Sequence, residues 1–225
     1  MTITLLDAAR VLDTCAAGVV LIGVLIAGTR SIGRAILLVA AQAFLLSATV
    51  ACVGLATGDS HLLLGSVLTL ASRGIAVPLA LGHILRESPV RTERNPYLSP
   101  RLALIAAIVI VFVSAIAVDS SALSGSLGSA VEAPHALPAS VAELLTGLMI
   151  VMTRRKGLSI VVGLLVFENG LALAAFSLTY GMPFVVELGA TFDLLMVVVV
   201  VTVYARRMLT VFGSTSTDQM RNLRG

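Results

Sequence analysis

The sequence predicts an all-α integral membrane protein of about seven transmembrane helices, and three observations carry that prediction. Of its 225 residues, 58% are hydrophobic and 12% charged, with a mean hydropathy of +1.04; soluble domains carry about 25% charged residues. Apolar runs recur along the chain at about the 20-residue length that crosses a hydrocarbon core. Basic residues gather in every second connection between those runs, the pattern that orients a multi-pass protein. The net charge of +3 and pI near 9.3 therefore point to the lipid bilayer as partner and not to nucleic acid.

The first run, 11–28, has Asp7 and Arg10 before it and Asp13 near its start, without a basic n-region or an A-x-A-like cleavage site, so it reads as a retained helix. The second covers 35–54. Cys15 and Cys52 fall in these two runs without CxxC spacing and read as small buried apolar residues, not as a disulfide or metal pair. The third run, 62–85, contains Arg73 and Pro78, and the fourth covers 102–118. Residues 119–138, rich in Ser, Ala and Gly and containing Pro134, read as an external loop. That loop separates a four-helix part, 1–118, from a three-helix part, 139–206, with runs at 139–152, 158–178 and 184–204; a cytoplasmic tail, 207–225, follows. Successive connections carry Arg30 and Arg34, then none, then Arg86, Arg91, Arg94 and Arg101, then none, then Arg154, Arg155 and Lys156, then none, before Arg206, Arg207, Arg221 and Arg224. The N-terminus is thus expected outside and the C-terminus in the cytoplasm, as for a multi-pass protein of a bacterial-type cell membrane.

Charges inside the apolar runs are the candidate functional residues, because each costs at least ~2.5–3.5 kcal/mol to insert. Lys156 precedes Glu168 by 12 positions and Asp193 precedes Arg206 by 13, depths of ~18 and ~20 Å at 1.5 Å per residue. Arg73 stands 13 positions from Arg86, which places it level with both acids. Pro78 lacks an N–H and crowds the carbonyl of Gly74, so the helix is expected to kink or open beside Arg73, with Gly74 and Pro78 as the break. Two readings stay open: proton exchange between Glu168 and Asp193 with Arg73 modulating their proton affinity, or a static buried salt bridge that fixes packing. Glu187 lies ~9 Å nearer the outer face than Asp193 and reads either as an entry or exit step or as an interfacial acid.

Glu143, near the start of its run, reads as an interfacial acid. Asn169 points ~100° away from Glu168 on a helix and is expected to bond a neighbouring helix or subunit. Gly163, Gly170 and Ala174 offer small surfaces for close packing. His61, His83 and His135 are scattered, so no metal site is expected. No nucleotide loop, hydrolase triad, zinc motif or haem-attachment sequence is present, and neither a catalytic residue nor a cofactor is assigned.

The stretches Gly163-Leu-Leu-Val-Phe-Glu-Asn-Gly170, Val186-Glu-Leu-Gly-Ala-Thr-Phe-Asp193 and Ala205-Arg-Arg207 resemble hydrogenase-4 component E. The resemblance extends to Arg73 through Val77-Pro78-Leu79 and to the terminal Asn222-Leu-Arg-Gly225. It implies a non-catalytic subunit in the membrane arm of a group 4 hydrogenase or formate hydrogenlyase-like complex, akin to respiratory complex I. Antiporter-like membrane subunits and a peripheral hydrogenase-like arm are the partners it implies. The last three helices are similar to the NuoK subunit of complex I, whose two intramembrane glutamates belong to a proposed proton path. The comparison maps Glu168 to the first; depth favours Asp193 for the second, whereas residue type favours Glu187. Arg73 stands where the family is expected to have Lys, which limits it to an electrostatic role. A multisubunit cation/proton antiporter, which also contains NuoK-like chains, and a structural scaffold are the alternatives.

Overall fold

The computed structural model describes residues 5–87, 92–93, 96–120 and 135–179. Within them the chain is helical: α1 (Leu5–Gly28), α2 (Ile32–Thr57), α3 (Ser60–Thr69), a π-helical stretch (Leu70–Ala76), α4 (Val77–Glu87), α5 (Pro100–Ser120), α6 (Ala136–Thr153) and α7 (Gly157–Thr179). Among the described residues six helical spans are long and apolar enough to cross a membrane, with α3, the π stretch and α4 forming one of them, Ser60–Arg86. The protein is thus an all-α, multi-pass membrane protein. The expected seventh span, 184–204, lies outside the described residues, as does the tail.

Local sequence sets the helix ends. Ser31 caps α2 by accepting from the Arg34 N–H at 3.5 Å, and Gly58, with φ 70°, ends it in the left-handed region that glycine enters without strain. Asp59 then caps α3 by accepting from the His61 N–H at 2.8 Å. Pro100 begins α5, where its missing N–H costs no helical bond. Around Gly74 and Pro78 the third span stays helical but opens. The Val77 N–H reaches back to the Ser72 carbonyl, a five-residue step that widens the turn directly before the proline.

α6 and α7 form the most extensive helix pair, and α2 packs against α1, α3, the π stretch, α4 and α7. The close approach of α6 and α7 needs glycine: a Cβ at Gly170 would lie 2.8 Å from the Leu144 backbone nitrogen. The N-terminal helices and the α6–α7 pair share one core. Its apolar side chains fall in two tiers, one including Ile26, Val39, Leu81, Ile150 and Val166, the other Leu12, Val19, Leu46, Ala136 and Leu173. Cys15 and Cys52 are half-buried free thiols, less enclosed than the sequence suggests. α5 turns Leu102, Ile105, Val109, Phe112 and Ile116 outward, as suits a helix facing lipid or another subunit.

The basic end of the bundle is tied together by residues that the sequence reading used only as topology markers. Buried Arg154 pairs with buried Glu93 at 3.3 Å and donates to the Ala27 and Thr29 carbonyls at 2.7 and 3.0 Å, covering the C-terminus of α1. Glu93 also accepts from the Arg155 N–H at 2.8 Å, and the Arg155 guanidinium lies 4.0 Å from the Tyr97 ring centroid. Thr92 bridges to Ser31 and accepts from Lys156 Nζ at 2.7 Å.

Candidate functional site

Arg73 enters the bundle from the π stretch, 5% exposed. Its Nη2 lies 3.8 Å from Glu168 Oε2 on α7, with side-chain exposures of 6% and 17%. That separation makes an ion pair but exceeds a charge-assisted hydrogen bond. Arg73 Nε has no hydrogen-bond partner among the described residues, so the guanidinium keeps an unspent donor beside the carboxylate. Gly74 and Pro78 follow this position in the same span. The structure therefore brings together two of the charged residues singled out in the sequence. Asp193 and Glu187 lie outside the described residues.

Asn169, one residue beyond Glu168 and about 100° around α7, points to a different neighbour. Its Nδ2 donates to Gln42 Oε1 on α2 at 3.2 Å, while Gln42 Nε2 donates to the Val19 carbonyl at 2.8 Å and to Glu143 Oε1 on α6. All three side chains are at most 1% exposed. The amide of Gln42 is thereby used on both sides, as a buried polar group requires. Gly23 of α1 completes the enclosure: a Cβ there would meet the Glu143 carboxylate first, 2.8 Å from its Cδ.

Glu143 is accordingly not interfacial but buried inside the bundle. The helix begins at Ala136, earlier than the sequence suggests, and Glu143 lies 11 positions from Arg154. At 1.5 Å per residue that is ~16 Å, close to the ~18 Å of Glu168. Counting from the basic end would have found it. Gln42 carried a fainter signal, as the one side-chain amide in the apolar run 35–54. Together these residues form a polar level between the two apolar tiers: Gln42 lies between Val39 and Leu46, and Asn169 between Val166 and Leu173. Among the described residues no three His, Cys, Asp or Glu side chains converge as a metal site would require. The chemistry this level offers is that of carboxyls, amides and a fixed cation, which is proton binding or helix registration.

No family model matches the sequence, and no solved structure matches it significantly. Among curated proteins it is similar to hydrogenase-4 component E of Escherichia coli and of Shigella flexneri, 25% identical in each case over 178 residues, 79% of this chain and 79% of theirs. It is also similar to the uncharacterised protein Rv0085 of Mycobacterium tuberculosis, 31% identical over 213 residues, 94% of this chain and 95% of that one. On that match across nearly the full length of both proteins, the chain belongs to the family of Rv0085 of Mycobacterium tuberculosis.

Proposed function

We propose that this protein is a non-catalytic membrane-arm subunit of a hydrogenase-4-type, complex I-like assembly in the cell membrane. In this reading it contributes an intramembrane proton relay that couples electron transfer to proton translocation. The observation that carries the reading is the Arg73–Glu168 ion pair, largely enclosed in the bundle, with Arg73 on a widened helical turn. The distant similarity to hydrogenase-4 component E supports the choice of complex. Arginine is a poor proton carrier, so the role of Arg73 is electrostatic and the proton resides on carboxyls. Moving the guanidinium from 3.8 Å to about 6 Å changes the pair's attraction by about 1.6 kcal/mol at an effective dielectric of 20, more than a tenfold change in proton binding on Glu168. A π stretch is a natural place for such a movement, since its hydrogen-bond register can shift by one residue. Asp193, matched in depth, or Glu187, matched in residue type, supplies the next station. The scale is suitable, because one charge crossing 100 mV is worth ~2.3 kcal/mol.

A second reading, a structural scaffold, is favoured by the same burial: the ion pair and the Gln42-centred bonds also fix helix register. Affinity purification of the tagged protein from native membranes tests the complex. Co-purification of a nickel-iron hydrogenase-like large subunit, an iron-sulfur protein and antiporter-like membrane subunits is expected. Recovery with cation-antiporter subunits alone would assign it to that class of complex instead.

A further inference from the structure

The polar level holds a carboxyl that the relay described above does not use. Glu143 is 1% exposed, and apolar tiers lie on both sides of it along the bundle. Three of the described helices present a neutral group to it: Gly23 from α1, Gln42 from α2, and from α7 Gly170, whose Cβ position lies 3.2 Å from the Glu143 carbonyl carbon. Asn169 stands behind Gln42. No basic side chain pairs with Glu143 among the described residues, and the one cation at this level, Arg73, is paired with Glu168. A buried carboxylate facing only an amide is costly, whereas the same group carrying a proton is tolerated. The described part of the level thus contains one fixed positive charge and two carboxyls, and it is neutral with one proton.

We infer that Glu143 is a proton-binding station, and that Glu143 and Glu168 share one exchangeable proton beside the fixed charge of Arg73. This rests on the relay reading and deepens it. In the transfer an O–H bond breaks on the Glu143 carboxyl and one forms on the Glu168 carboxylate; the proton passes by way of water, and the net charge of the level is unchanged. Gln42 and Asn169 hold the carboxyl in place and are not themselves carriers. Gly23 leaves the space in which the carboxyl sits.

The test compares Glu143→Gln with Glu168→Gln in the whole complex, measuring proton translocation and electron transfer per assembled complex. Gln keeps the shape of Glu143 and its acceptor for Gln42 but binds no proton. E143Q is expected to lower translocation by about 10²-fold, the lower end of what a positioned proton-transfer group contributes, with electron transfer retained and Glu143→Asp partly restoring translocation. E143Q that pumps normally while E168Q does not would overturn the role of Glu143 and leave the relay standing. Normal pumping in both would overturn the relay itself. If E143Q does not assemble, infrared spectra of the wild-type and E143D complexes decide. A protonated-carboxyl band that moves between them supports the inference, and the lack of any such band overturns it.

Discussion

Replacing Arg73 by Met removes the cation and leaves Glu168 inside the bundle. At 3.8 Å and an effective dielectric of 20, the attraction lost is about 4 kcal/mol. This agrees with the ~3–5 kcal/mol that breaking a buried pair costs. The Glu168 side chain is only 17% exposed, so solvent screening reduces this little, and added salt should change it little. Glu168→Gln alone strands Arg73 and should cost a similar amount. The double variant, Arg73→Met with Glu168→Gln, removes both charges and should recover most of the loss, so that its cost falls far short of the sum of the two single losses, which a double-mutant cycle reads as strong coupling. The assay is the fraction of intact complex and its thermal midpoint in detergent for wild type, both single variants and the double. Losses that simply add would refute the electrostatic linkage of the two residues.

Three further outcomes are expected. Gly147→Ala places a Cβ 2.7 Å from the Phe167 Cα and should cost about 1–3 kcal/mol by forcing α6 from α7, whereas Gly82→Ala, with nothing within 4 Å, should leave the thermal midpoint unchanged or higher. Either Arg154→Gln or Glu93→Gln breaks the buried pair at 3.3 Å and should cost ~3–5 kcal/mol, read as faster proteolysis of the connections at the basic end. A reporter fused after Gly225 should lie in the cytoplasm; a periplasmic reporter would contradict the assigned orientation.

The spans were legible because lipid-facing and core positions alike must be apolar, so the six described helices stand out as long hydrophobic runs. Their ends were less legible: α6 begins at Ala136, inside a stretch that reads as loop by composition. That misplaced start made Glu143 look interfacial. Arg73 and Glu168 were legible as charges at one depth, because charge in an apolar run is conspicuous and both could be measured from basic flanks; that they pair with each other appears only in the structure. Gln42 is uncharged and gives no such signal; its importance appears only when α2 brings it between Glu143 and Asn169. The role of Arg154 was hidden for the opposite reason, since a loop arginine reads as a solvated topology marker until Glu93 folds over it.

The central claim is that Glu168 carries protons and does not merely anchor a helix. The most direct measurement is proton translocation per electron pair by assembled complexes carrying Arg73→Met and Glu168→Gln together, in which the stability lost by either single change is restored. The relay predicts electron transfer without translocation. Translocation at the wild-type ratio would contradict it and leave the pair as a helix anchor.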